Sequence, residues 1–168
     1  MLALVLLAIA VPAHAERLTF DHRLYPPLKA VLDSGDAAMI DYNPSNPRYV
    51  VDLIAIKGKS AADWREAIEI IARTPSKDVG TARAWHDEMI LRANRLCQNT
   101  VTDIAEDSRS ITFQRQSPDC PAERAETAIT QIVASKRSLF AITFLFKGVP
   151  DAATRQQALD LLASAHIE

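Results

Sequence analysis

The chain has 168 residues, 48% of them hydrophobic, and its 19 Lys and Arg stand against 21 Asp and Glu for a formal net charge of −2. So near a balance, with no block of like charge, argues against a nucleic-acid partner, which would call for a basic surplus on one face. Four glycines and two cysteines in the whole chain also leave little from which to build a phosphate-cradling loop or a four-ligand zinc site.

The chain opens with an apolar run, Leu2 to Val11, followed by Pro12 and the small-x-small tripeptide Ala13-His14-Ala15. That pattern predicts a cleavable signal peptide over residues 1–15, with cleavage before Glu16. As a helix, a run of about 10 residues covers about 15 Å, half of a bilayer's hydrocarbon core, so it is too short for a stable membrane anchor. The stretch lacks the Lys or Arg that usually opens a signal peptide, as it would if the true start lay upstream of Met1. The competing reading is a buried N-terminal strand or helix. No cysteine follows the run, which argues against a lipoprotein anchor. Residues 16–168 then have the length of a single domain with one sizeable core, expected to be periplasmic or secreted.

Arg17 to Tyr25 and Ala37 to Tyr42 read as short strands, separated by Pro26-Pro27 and by Asp33-Ser34-Gly35-Asp36. Asn43-Pro44-Ser45-Asn46-Pro47 reads as a turn, because two prolines and two asparagines disfavour both helix and ladder. Tyr49 to Ile56 is apolar on both faces and predicts a central strand ending at Gly58. Ser60-Ala61-Ala62-Asp63 has capping-box spacing, and Trp64, Ala67, Ile68, Ile71 and Ala72 follow at helical intervals, predicting a helix over 61–73 stopped by Thr74-Pro75. A second helix is expected over 82–97, with Trp85, Met89, Ala93 and Leu96 on one stripe. Thr100 to Ala105 and Ser110 to Gln116 predict a β-hairpin, in which Ile111, Phe113 and Arg115 alternate with Thr112 and Gln114. Pro121 suits the first position of a further helix carrying Ala125, Ala128, Ile129, Ile132 and Val133. Ser138 to Lys147 predicts a strand, and Pro150-Asp151 opens a last helix with Ala158, Leu161, Leu162 and Ala165. This order predicts an α+β fold, an antiparallel or mixed sheet covered by helices.

Cys97 and Cys120 form an even pair in a chain expected to reach an oxidising compartment, so a disulfide is their natural reading. Neither Cys-x-x-Cys nor a zinc spacing is present. The bond would clip together the two ends of the predicted hairpin and make it a candidate presenting element.

No catalytic constellation emerges. Asp21-His22 would point to opposite faces of a strand, and on a helix the neighbours of His86, Asp87 and Glu88, would not face it. Gly-x-Ser-x-Gly is missing, and Gly58-Lys59-Ser60 lacks the first glycine of a P-loop, with Leu53 in its place. Glu66 with Glu69, and Glu123 with Glu126, would share helix faces, but Arg65, Arg73, Arg124 and Lys136 suggest a charge-compensated surface. Trp64 and Trp85 belong to apolar stripes and read as core. The alternative is an aromatic-lined ligand cleft between two helices, with Trp64, Trp85 and His86 as its candidates.

The final third, a Cys, a helix, the strand Ser138 to Lys147, Pro150-Asp151 and a helix ending Leu161-Leu162-Ala163, resembles the end of PsbP-like α/β/α domains of small exported bacterial proteins. Such a resemblance implies binding or assembly roles and carries no catalytic residues across. The expected function is therefore non-catalytic binding of an envelope protein or a small ligand, with no cofactor. Two alternatives stand beside it: a hydrolase using His86 or His22 with a carboxylate, and an envelope component held at the membrane by an uncleaved signal.

Overall fold

The computed structural model describes residues 16–43 and 50–168, so the signal-peptide reading and most of the Asn43 to Pro47 turn lie outside the described residues. The fold is α+β. Seven strands form one sheet: β2 (Ile40–Asn43), β3 (Val50–Ser60), β4 (Asp63–Arg73), β5 (Thr100–Glu106), β6 (Ser110–Gln116), β7 (Thr127–Ala134) and β8 (Leu139–Phe146). Their order is β2-β3-β4-β8-β7-β6-β5, and every neighbouring pair is antiparallel. Two short strands, β1 (Leu18–Thr19) and β9 (His166–Ile167), pair separately and bring residues 17 and 168 together.

The antiparallel ladder gives the sheet two distinct faces, because side chains alternate along each strand. On the first face lie α1 (Pro26–Ser34) and α3 (Ala152–Ala163). Leu28, Leu161 and Leu162 from these helices pack with Ile54, Ile68, Ile129, Ile142 and Phe144 from the sheet in one buried core. Tyr25, just before α1, sets its ring 4.8 Å from that of Phe144, a tilted contact worth about 1 kcal/mol beyond burial. On the second face lies α2 (Ala82–Asn94). Its Ala82 and Trp85 pack with Ile111, Phe113, Ile132, Leu139 and Ala141 in a second core. Among the described residues no helix is long and apolar enough to cross a membrane.

The strand at 139–146, the hairpin at 100–116 and the helices at 82–94 and 152–163 stand close to where the sequence places them. Three segments differ. The helix expected over 61–73 is strand β4, and the helix expected after Pro121 is strand β7. Both strands lie inside the sheet with side chains buried on both faces. A strand apolar on both faces matches a helical template wherever residues three and four apart are both apolar, so periodicity does not separate the two. The capping-box spacing is a hairpin turn: the Ser60 hydroxyl accepts the Asp63 N–H at 3.2 Å, and Ser60 pairs with Asp63 across Ala61-Ala62. In the third segment, Arg17 to Tyr25 is mostly not strand, and Pro26-Pro27 starts helix α1 rather than breaking the chain. Gly35, at φ 62°, closes that helix in the left-handed conformation.

Gly58 does not end its strand; β3 runs on to Ser60 through a bulge. Its φ is 138°, and a Cβ at this position would stand 2.4 Å from the Asp63 carbonyl oxygen, so there is room for no side chain. The pairing steps from Lys57–Glu66 to Gly58–Trp64 and skips Arg65. As a result Glu66 and Trp64 serve opposite faces: Glu66 meets Tyr25 on the first, while Trp64 lines a groove on the second.

Candidate functional site

Helix α2 covers only part of the second face. Beside its C-terminal half the sheet stays open as a groove of about 460 Å³. The register lays out its floor as two rows across four strands. One row runs Glu69, Thr143, Thr130, Phe113, and the next runs Ala67, Leu145, Ala128, Arg115. Leu53 and Trp64 extend the floor on the β3–β4 side, and Met89 and Ala93 of α2 form one wall.

The opposite wall is the segment between β6 and β7, which reads as helix in the sequence and here is a loop of two successive turns carrying Cys120, Glu123 and Arg124. Cys120 is disulfide-bonded to Cys97, with 5.4 Å between their Cα atoms. The bond brackets the β5–β6 hairpin as expected. It also joins the residues just beyond α2 to the facing loop, so both cysteines line the groove.

Two ionisable side chains stand on the floor without an opposite charge. Burial holds the Glu69 carboxyl above the usual carboxylate range, and no hydrogen bond or ion pair reaches it among the described residues. At the other side of the floor Arg115 donates to Asn99 Oδ1 at 3.0 Å and to the Ser117 hydroxyl. Burial and the nearby Arg124 both push its guanidinium below the ordinary arginine range, and it has no carboxylate partner among the described residues. Between them the Thr130 and Thr143 hydroxyls are bonded to each other at 3.1 Å.

Of the three cleft residues expected from sequence, only Trp64 is in the groove. It comes from a strand rather than a helix, with the Lys147 ammonium 5.0 Å from its ring centre. Trp85 and His86 are buried under α2 instead, so no cleft between two helices brings the three together. Trp85 lies against the Arg73 guanidinium at 5.5 Å, and Arg73 in turn binds Glu88 at 2.8 Å.

The surroundings of His86 correct a second expectation. Asp87 does face it: its carboxylate folds back along the turn and lies 2.7 Å from Nδ1. Asp103 of β5 stands 3.3 Å from Nε2 without hydrogen-bonding alignment, and the edge of the ring meets Phe113. Arg83 binds both Asp103 and Glu106 of the same strand. This network ties α2 to β5. Among the described residues no hydroxyl or thiol is hydrogen-bonded to His86, so the arrangement is not that of a base poised on a nucleophile. His22 is not bonded to Asp21, which caps its short helix and grips Arg23; that guanidinium holds the Asp21 carboxyl down to about 2.

The paired glutamates are also separated. Glu66 is buried on the first face, where it accepts the Tyr25 hydroxyl and the Lys57 ammonium, the latter at 2.7 Å; Glu69 is on the second. Glu123 lies on a loop and Glu126 beside β7, with no shared helix face.

In the sequence Glu69 stands only as the partner of Glu66 on an expected helix face, and Arg115 only as a member of the hairpin's alternation. For Arg115 a signal exists: it continues the inward phase of Ile111 and Phe113, an unusual place for a guanidinium. For Glu69 the signal is hidden by the helical reading, since only as a strand does it fall in phase with Ala67 and Ile71. No family model matches the chain, and no curated protein does.

Proposed function

We propose that this is an exported, non-catalytic binding protein that takes a small ligand in the groove between α2 and the open half of the sheet. The observation that carries the reading is the groove itself: about 460 Å³, floored by Leu53, Trp64, Ala128 and Leu145, and walled by a disulfide-clipped loop. Ligand sites are typically concave, mainly apolar and furnished with a few placed polar groups, as here. Export is supported by the signal-like leader and by the disulfide, which persists in oxidising compartments.

The neutral fluorophore N-phenyl-1-naphthylamine tests the groove. We expect saturable binding at one site, quenching of Trp64, and loss of both in Ala93→Trp, which fills the groove from its helical wall. Binding that survives this substitution would place the site elsewhere. Intact mass of the exported protein tests the address: a chain beginning at Glu16 and lighter by two hydrogens is expected, whereas a full-length membrane-bound product would favour the anchored alternative.

A further inference from the structure

The two sides of the groove differ in charge, and that difference identifies a class of occupant. Three strand spacings of about 4.8 Å separate Glu69 on β4 from Arg115 on β6, so the two stand about 15 Å apart across the floor. At the Arg115 side the positive charge is doubled by Arg124, while Glu123, the other carboxylate lining the groove, forms an ion pair with neither. A half-buried arginine left without a carboxylate favours a ligand that supplies the anion. Its planar fork suits a carboxylate better than any neutral group. Between the two sides lie Ala128, Leu145 and the threonine pair, whose hydroxyls already satisfy each other. At the far side, beyond Leu145, the surface is that of Leu53 and Trp64, and Glu69 there is a carboxyl in no ion pair among the described residues, while Arg92 of the helical wall is paired with Glu88. A second anionic group on the ligand would meet that carboxyl.

From this juxtaposition we infer that the occupant is a single-headed amphiphilic carboxylate, its anion held by Arg115 and Arg124 and its apolar body lying across β7 and β8 toward Leu53 and Trp64. The inference rests on the groove's being the binding site, and it adds the head group, its position and the direction of the body.

Dodecanoate, dodecanol and dodecanedioate, titrated into the full disulfide-bonded protein by calorimetry, test it. Dodecanoate should bind about tenfold or more tighter than dodecanol, as one charge-assisted bidentate contact predicts. Arg115→Gln should remove that advantage while leaving dodecanol affinity unchanged, and dodecanedioate should bind more weakly than dodecanoate. Circular dichroism checks that Arg115→Gln is folded; if it is not, Arg124→Gln on the exposed loop provides the same reading, with a several-fold loss expected for dodecanoate alone. Equal affinities for dodecanoate and dodecanol, or a diacid that binds as well as the monoacid, would overturn the head-group assignment and leave the groove standing. Dodecanoate binding untouched by Ala93→Trp would instead remove the groove as the site. Failure of both dodecanoate and dodecanol to bind overturns the amphiphile, and N-phenyl-1-naphthylamine then decides separately whether the groove binds anything.

Discussion

Cys97 and Cys120 join the residues just beyond α2 to the loop that forms the groove's other wall, so a single covalent bond ties the two walls together, with 5.4 Å between the two Cα atoms. The ring it closes contains the whole β5–β6 hairpin. Cross-linking residues 23 apart in sequence stabilises by about 3 kcal/mol in the chain-entropy view. Replacing both cysteines by serine should lower the unfolding free energy by about that amount, measured by urea denaturation. It should also weaken ligand binding more than the stability change alone explains, because the Arg124 wall is no longer held. Binding unchanged in a folded double mutant would show that the loop keeps its place without the bond.

Tyr25 and Glu66 form a buried polar contact between the start of α1 and β4, with Lys57 on the second carboxylate oxygen. Burial first, then the adjacent Glu66 carboxylate, push the Tyr25 hydroxyl well above the usual phenol range. A group whose folded pKa is raised contributes stability that is fully present below its unfolded value and lost as pH rises. Stability should therefore fall as pH climbs above about 10, the unfolded tyrosine value, and Tyr25→Phe should remove part of that fall. Glu66→Ala strands the tyrosine hydroxyl and should cost about 2 to 3 kcal/mol at neutral pH. Thermal melts between pH 7 and pH 11 read both effects.

How much of this molecule could be read from its sequence depended on how each element is buried. Helix α2 and the β5–β6 hairpin have a wet side and a dry side, so their periods, 3.6 and 2, are visible in the residues. Strand β8 is apolar throughout, yet its aromatic and β-branched run, LFAITFLF, has little helical character. Strands β4 and β7 also lie inside the sheet but carry Ala, Glu and Gln, residues at home in helices, and there tertiary context overrides local preference. The groove suffered from the same ambiguity. Trp64 was identifiable as an aromatic worth placing, but its side of the sheet is set by the Gly58 bulge, a feature visible only once Glu66 and Trp64 are seen to face apart. Trp85 and His86 lie under α2 because that helix turns them toward Phe113 and Ile111.

Glu69 makes a linkage prediction of the same sign at the acid end. Burial raises its pKa above the ordinary carboxylate range, so its favourable, protonated contribution is present below the unfolded value of about 4.3 and is lost as pH rises through the folded one. At pH 7 the charged form is the less comfortable one in the folded protein. Glu69→Gln should therefore raise the unfolding midpoint at pH 7, and the gain should disappear on titration toward pH 4. A midpoint shift that is the same at both values would show that the carboxyl is solvated well enough for the groove to be wet at that side.

Gly58 offers the sharpest test of how the fold builds the groove. Any Cβ there meets the Asp63 carbonyl oxygen at 2.4 Å and the Trp64 Cα at 2.6 Å, in a backbone conformation that side chains rarely adopt. Relief requires the β3–β4 hairpin to open or the bulge to move, and either displaces Trp64. Gly58→Ala should cost about 1 to 3 kcal/mol, the range for backbone strain at such a position. Because Trp64 sits between the groove and the Lys147 ammonium, its emission should shift to the red while that of buried Trp85 stays in place, which Trp64→Phe and Trp85→Phe controls can separate. Stability lost with Trp64 emission unchanged would mean that the strain is absorbed at Ala61-Ala62, and that the bulge is not what turns Trp64 into the groove.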